Sequence, residues 1–110
     1  MWRDKGYLKD IEQSCERIMG KTLGRTFEEF VSSEDEHDIV ALHIAVIGES
    51  ARKLSDETKE KLWEIPWHKV VGMRNRIAHD YKATDSHEIW IAATRDIPAL
   101  LAVVKRELQS

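Results

Sequence analysis

The ten residues from Gly72 to Tyr81 read GMRNRIAHDY and concentrate charged and hydrogen-bonding side chains in a short run. Two of them, Arg74 and His79, are side chains that could form a catalytic pair. A neutral imidazole, with a pKa of about 6.5, can act as a general base. A planar guanidinium can stabilise negative charge on an anion. The same pattern is compatible with a solvated helix end, in which the arginine forms an ion pair and the histidine caps the helix.

The spacing of Arg74 and His79 bears on how they could cooperate. Five residues on a helix correspond to about 140° around its axis. The two side chains therefore do not share one face as residues four apart would. Within one helix they make a poor pair, although arginine is long enough to bend. Two copies related by a twofold axis could place each arginine near the other chain's histidine, so a site at this pair favours a dimer.

Neighbouring polar residues on the same helix have structural interpretations. Asn75 precedes His79 by four residues, so its amide could orient the imidazole or could simply be solvated. Arg76 and Asp80 have the same spacing, which predicts a surface ion pair worth a few tenths of a kcal/mol.

An acidic residue upstream, Glu49, lies between two apolar stripes of a predicted helix. A carboxylate in that position needs a cationic partner. Arg74 is one candidate, and Arg52 and Lys53 are the others.

Metal and disulfide chemistry has no support in the sequence. Cys15 is the single cysteine, and neither C-x-x-C nor H-E-x-x-H spacing occurs. The histidines outside the GMRNRIAHDY run have no ligand spacing and are predicted to be non-functional: His37, His43, His68 and His87.

The elements that must position these residues are helical almost throughout. Periodicity predicts helices over 3–19, over TFEEFV, from Ser33 to the region of Leu54, over SDETKEKLW, over 67–79 and from Asp85 to about Leu108. Thr26, Ser33 and Asp85 each have a glutamate three residues later, which is the pattern of a capping box. Pro98 lies inside the last helix and is predicted to kink it. The fold class is therefore an all-α bundle with short loops.

The helix after Ser33 carries apolar residues on two stripes. One consists of Val40, Ile44, Ile47, Ala51 and Leu54, and the other of Ile39, Leu42 and Val46. Two stripes predict a helix covered on two sides, either central in the bundle or at a subunit contact.

Length and composition bound the class of protein. The 110 residues suffice for one domain, and 42% hydrophobic with 34% charged residues is an ordinary soluble balance. The net charge of −3 argues mildly against general nucleic-acid coating. Charge is uneven, however: residues 61–82 hold five Lys or Arg against two acids, and residues 28–40 hold six acids and no Lys or Arg. No membrane-length apolar run and no signal sequence are evident, so we expect a cytoplasmic protein without membrane association.

The sequence as a whole resembles the HEPN superfamily, and within it the HepT toxins of the HepT/MNT toxin–antitoxin systems. The similarity is carried by YLKDI, TFEEF, IGESARKLS, IPWHKVVGMRNRIAHDY and the terminal IW…RDIPALL, in family order over nearly the whole chain. It implies that residues 1–110 form a single HEPN domain, a bundle of four to six helices that dimerises through helix faces.

The resemblance also implies a function, which is metal-independent endoribonuclease activity in a cleft between two protomers. The family's R-x-x-x-x-H motif matches Arg74 and His79, with Asn75 at the polar position that follows the arginine. No metal or cofactor is expected, and the products would be a 2′,3′-cyclic phosphate and a 5′-hydroxyl. The RNA target, tRNA or mRNA, is not specified. Glu49 matches a family position and is expected to support the site.

In HepT proteins the motif extends to R-x-x-x-x-H-x-Y, and Tyr81 fills the last position. There the cognate antitoxin, a minimal nucleotidyltransferase, transfers AMP to this tyrosine and silences the toxin. Many relatives have an aromatic residue and glycine after the tyrosine, where this chain has Lys82 and Ala83. Two alternatives stay open: a non-catalytic HEPN module that binds a nucleotide or a nucleotidyltransferase partner, and a purely structural dimer.

Overall fold

The computed structural model describes residues 2–110, and in that range every regular element is helical. The helices are α1 (Trp2–Thr22), α2 (Phe27–Ser32), α3 (Glu34–Lys53), α4 (Asp56–Lys61), α5 (Trp67–His79), α6 (Ser86–Ile91) and α7 (Ile97–Gln109). A 3-10 turn covers Tyr81–Ala83, and a π-helical segment, Ala92–Asp96, joins α6 to α7. The predicted all-α fold is confirmed. None of these helices has both the length and the apolar character needed to cross a membrane.

The bundle is organised around α3, which packs against α1 on one side and α5 on the other, while α7 packs against α1. Its core consists of side chains at helical spacing, as the periodicity predicts. The fully or almost fully buried members include Ile11, Cys15, Ile18, Phe30, Val40, Ile44, Ile47, Ala51, Leu62, Ile89, Ala93 and Val104. Burial of such side chains contributes roughly 1.5–3 kcal/mol each. The first apolar stripe of α3 therefore lies in the core.

The second apolar stripe of α3 lies at the surface of the chain. Leu42 is 59% exposed and Val46 is 37% exposed, and Ile39 is half-buried. The helix is central in the bundle, as one of the two predictions had it, but this chain does not cover its second stripe. A subunit contact on this side stays a prediction.

Helix starts follow the capping pattern to different degrees. At α2 the box is complete: the Glu29 N–H donates to Thr26 Oγ1 at 3.1 Å, and the Thr26 N–H donates to Glu29 Oε1 at 2.9 Å. At α3 only half of it forms, because Ser33 Oγ accepts from the Glu36 N–H at 3.3 Å while the Glu36 carboxylate binds Arg25 at 2.7 Å. The carboxylate of Glu36 thus binds the side chain of Arg25 in place of the backbone N–H of Ser33.

The first helix extends further than predicted. It ends at Thr22 and not near Met19, because Gly20 continues the helix and Gly24 adopts the left-handed conformation, φ 77°, that terminates it. A glycine is the residue that takes this conformation without a steric penalty.

Pro98 disturbs the last helix through a widened turn. The N–H of Ile97 donates to the carbonyl of Ala92, five residues earlier, within the π-helical segment. A proline has no N–H to donate and its ring clashes with the carbonyl four residues before it. The wider π turn is a known way to accommodate such a break inside a continuous helix.

Candidate active site

Helix α5 presents the GMRNRIAHDY run, and its start is firmly anchored. Pro66 precedes the first residue, and the buried Trp67 donates its indole N–H to the carbonyl of Leu62 at 3.0 Å. Met73 and Ile77, four residues apart, are buried against the core. The rotation of the helix therefore turns Asn75, Arg76, Ala78 and His79 toward solvent.

Arg74 lies where α5 comes closest to α3. A Cβ atom built on Gly48 would be 2.2 Å from the Cβ of Arg74 and 3.0 Å from the carbonyl oxygen of Val70. Real Cβ atoms do not come this close, so only glycine permits the two backbones to pack here. This contact holds the stem of Arg74 against α3, one residue before Glu49.

The carboxylate of Glu49 contacts all three cations that the sequence offered as partners. Arg52 is at 2.7 Å, Arg74 at 3.4 Å and Lys53 at 3.8 Å. The hydrogen bond from Arg52 is the main cause that lowers the pKa of Glu49. The charges of Arg52, Arg74 and Lys53 lower it further, and partial desolvation opposes them. The negative charge of Glu49 is thus shared, with Arg74 as one of its partners.

The side chain of Asn75 takes a role that neither interpretation foresaw. Its Oδ1 accepts a hydrogen bond from Nη1 of Arg74 at 3.1 Å, and within residues 2–110 no hydrogen bond joins it to His79. The Arg74 guanidinium is therefore held on two sides, by Glu49 and by Asn75. Its side chain is 35% exposed, so it is anchored and still accessible.

His79 is the last residue of α5 and is exposed. In the part of the chain that the structure describes, its imidazole makes no hydrogen bond or ion pair. The next residue, Asp80, leaves the helical conformation with φ −155° and ψ 81°. The imidazole is therefore free to accept a proton from a molecule bound nearby.

An open cleft of about 740 Å³ brings Arg74 and His79 to the same surface. Its walls come from the C-terminal half of α5, the segment after it and α6. The polar lining includes Arg74, Arg76, His79, Asp80, Thr84 and Glu88. Arg74 and His79 thus line one cleft although they do not share one face of the helix.

The ion pair predicted between Arg76 and Asp80 is wrong. Nη1 of Arg76 instead lies 3.3 Å from Oε1 of Glu88, on α6. Because the helix ends at His79, Asp80 is not on the helical surface, and its carboxylate accepts the Ala83 N–H at 3.3 Å. The four-residue spacing rule applies only while both residues are in the helix.

Tyr81 lies on the 3-10 turn but does not line the cleft. Its hydroxyl points toward the start of α3, where it donates to Oδ1 of Asp38 and lies 2.5 Å from Nδ1 of His37. The other ring nitrogen of His37, Nε2, is 2.9 Å from Oγ of Ser86 on α6. Burial raises the pKa of Tyr81 well above its ordinary value, and the hydrogen bond to Asp38 with the charges of Asp38 and Glu34 raises it further.

Sequence reasoning missed the contacts of His37 and Asp38 with Tyr81. It predicted that His37 is non-functional and treated Asp38 only as part of an acidic run. The two residues are 44 and 43 positions from Tyr81, and no local spacing links them to it. The contact depends on how the turn after α5 docks against α3.

Other reactive groups are few among residues 2–110. No cluster of three or more His, Cys, Asp or Glu side chains there is arranged to hold a metal ion. Cys15 is buried, and burial raises the pKa of its thiol to about 12. A thiol in that state is a poor nucleophile.

Comparisons with known proteins point to one family. The model of the HepT-like ribonuclease family matches residues 11–107. A protein of Caldanaerobacter subterraneus subsp. tengcongensis, named a putative RNase, is 33% identical over 103 residues, which cover 94% of this chain and 92% of that protein. A protein of Thermococcus cleftensis, named a probable ribonuclease HepT, is 31% identical over 96 residues, 87% of each chain. No solved structure matches the chain.

Proposed function

Since the chain belongs to the HepT-like ribonuclease family of the HEPN superfamily, we propose that it is an endoribonuclease that cleaves RNA without a metal ion, through Arg74 and His79. One observation carries the proposal: an anchored guanidinium and an exposed imidazole line the same open cleft. The relatives named as ribonucleases support the same activity.

The reaction needs a base, a stabiliser of negative charge and an acid. His79 takes the proton from a ribose 2′-hydroxyl, and the 2′-oxygen attacks the adjacent phosphorus. Arg74 offsets the charge that develops on the phosphorane, and its fork suits two phosphate oxygens. The 5′-oxygen leaves with a proton, and the products are a 2′,3′-cyclic phosphate and a 5′-hydroxyl.

A homodimer would supply the acid from a second imidazole, the partner's His79. The exposed stripe of α3 supports this assembly, because Ile39, Leu42 and Val46 follow the three-and-four spacing of a helix–helix seam. The next position in that series is Glu49, which contacts Arg74. A symmetric contact along this stripe therefore brings the two clefts toward each other.

The proposed biological role is that of a toxin controlled by AMP transfer to Tyr81 from a cognate minimal nucleotidyltransferase. The R-x-x-x-x-H-x-Y spacing supports it, as does the position of the turn. AMP on Tyr81 replaces the hydroxyl proton donated to Asp38 and adds a negative charge beside Asp38 and Glu34. The resulting repulsion displaces the turn, and the neighbouring Ala83 and Thr84, which line the cleft, move with it.

A direct test uses purified protein, total RNA or a pool of tRNA and mRNA, and an excess of chelator. Fragments with 2′,3′-cyclic phosphate and 5′-hydroxyl ends are the expected products. Intact RNA, combined with measurable binding of a nucleotide, contradicts the nuclease and supports the non-catalytic module instead.

A further inference from the structure

The hydroxyl of Tyr81 lies in a chain of four hydrogen-bonding side chains from three separate elements. Oη contacts Asp38 and His37, both on α3, and His37 continues to Ser86 on α6. The tyrosine is half-buried, whereas Asp38 is exposed. The hydroxyl is thus held in one orientation at a surface that a second protein can reach.

The protons in this chain can be assigned from the chemistry of the groups. A carboxylate can only accept, so the single phenolic proton is donated to Asp38. Oη must then accept from the other contact, so Nδ1 of His37 carries a proton. The imidazole thereby fixes the position of Oη, and Ser86 fixes the imidazole. One lone pair of Oη stays free for attack on an electrophile.

We propose that Asp38 is a catalytic residue of AMP transfer to Tyr81, the base that accepts the phenolic proton, and that His37 positions the hydroxyl. This inference rests on the proposed function, in which Tyr81 is the acceptor. The general base that deprotonates Tyr81 then belongs to this chain and not to the nucleotidyltransferase.

The transfer step uses ATP, which the nucleotidyltransferase binds. The free lone pair of Oη attacks the α-phosphorus, and a new oxygen–phosphorus bond forms. The bond from the α-phosphorus to the bridging oxygen breaks, and pyrophosphate leaves with that electron pair. The phenolic proton moves to Oδ1 of Asp38, which is exposed and returns it to solvent. No electrons are transferred in the oxidation–reduction sense.

Other groups near the hydroxyl are less suited to this role. Glu34 acts on Tyr81 only through its charge, and no hydrogen bond joins the two among the described residues. His37 already donates to Oη. These three, Asp38, His37 and Glu34, are the titratable groups of α3 that face the hydroxyl, and the contact from α6, Ser86, is uncharged. Among residues 2–110, Asp38 alone combines direct contact with Oη, an accepting atom and exposure.

Because Asp38 lies outside the cleft, AMP transfer to Tyr81 and RNA cleavage can be tested independently. Neither Tyr81 nor Asp38 is among the residues that line the cleft of Arg74 and His79. A substitution at Asp38 is therefore expected to slow AMP transfer while RNA cleavage by the unmodified protein continues.

The test measures AMP incorporation from α-labelled ATP under single-turnover conditions with the cognate minimal nucleotidyltransferase of the proposed function. Asp38→Asn is expected to lower the rate by about 10²–10⁴-fold near neutral pH, the usual contribution of a general base. Asp35→Asn is the matched control, because Asp35 is an exposed aspartate of the same helix turn. Asp38→Glu retains a carboxylate and is expected to restore most of the rate.

The dependence on pH separates a base from a merely structural residue. Without the carboxylate, reaction depends on tyrosinate, whose fraction rises about tenfold per pH unit below the phenol pKa. The ratio of the Asp38→Asn rate to the wild-type rate should therefore rise from about pH 6 to about pH 9. Because both rates are measured with the same nucleotidyltransferase, the pH dependence of that enzyme cancels in the ratio.

Several outcomes overturn the inference. Equal rates for Asp38→Asn and Asp35→Asn, with wild-type label on Tyr81, overturn it while the proposed modification stands. A ratio that is low but independent of pH assigns Asp38 a structural role and also overturns it. If Tyr81→Phe is still labelled, or if the wild type is not labelled, both the proposed modification of Tyr81 and the role of Asp38 are contradicted. The proposed ribonuclease activity is tested separately, by the cleavage experiment with chelator.

Discussion

The guanidinium of Arg74 lies 3.4 Å from the carboxylate of Glu49, which comes from the neighbouring helix α3. The same carboxylate binds Arg52 more closely, at 2.7 Å. Glu49 is therefore a shared anchor, and Arg74 depends on it only in part. Asn75 supplies the second contact of the guanidinium, at 3.1 Å.

Glu49→Gln is expected to reduce RNA cleavage only about 1.4- to five-fold. The pair is partly exposed, and such ion pairs contribute about 0.2–1 kcal/mol, which corresponds to this range of rates. Initial rates on a defined RNA measure the effect. Glu60→Gln is the control, since Glu60 is an exposed glutamate of α4. A loss greater than a hundredfold for Glu49→Gln contradicts a supporting role and makes Glu49 part of the chemistry.

Arg74→Ala and His79→Ala are each expected to lower cleavage by about 10²–10⁴-fold. The first removes the charge stabiliser and the second removes the base. Arg95→Ala and His68→Ala are the matched controls, because both residues are exposed and neither lines the cleft. Cleavage by a pure His79→Ala sample at the wild-type rate means that the site has been placed wrongly.

Gly48→Ala is expected to destabilise the fold by about 1–3 kcal/mol, the usual cost of overpacking. The new methyl group meets the Cβ of Arg74 at 2.2 Å and a backbone carbonyl at 3.0 Å. Gly20→Ala provides the comparison, because a Cβ there meets nothing within 4 Å. That substitution, in the helix α1, is expected to stabilise by about 0.4–1 kcal/mol. Thermal unfolding of both variants measures the difference, and equal midpoints would show that α3 and α5 are not in this close contact.

Leu42→Asp is expected to convert a dimer to a monomer and to reduce cleavage with it. Leu42 is 59% exposed on the second stripe of α3, so the substitution leaves the core of the chain intact. A carboxylate in an apolar interface without a partner is strongly unfavourable. Sedimentation velocity reports the mass, and Leu23→Asp is the control, since Leu23 is 79% exposed and lies between α1 and α2, outside the second stripe of α3. A dimer that survives Leu42→Asp places the interface elsewhere.

Residue types and periodicity were enough to predict the helices and the buried stripe of α3. These features depend on local backbone geometry, in which apolar residues three and four apart share a face. The predicted bounds of α5, Trp67–His79, agree with the structure for this reason. The end of α1 was misplaced because Gly20 and Gly24 look alike in sequence, and only one of them takes a positive φ.

What the sequence by itself determined about this protein is the set of helices, their buried faces and the family to which it belongs. Only the tertiary structure decided the partners of the polar groups: Glu88 for Arg76, Asn75 with Glu49 for Arg74, and Asp38 with His37 for Tyr81. The physical reason is that a long polar side chain binds the nearest complementary group in space. Which group is nearest depends on how helices dock, and a repeat of three or four residues carries no information about a neighbour 43 positions away.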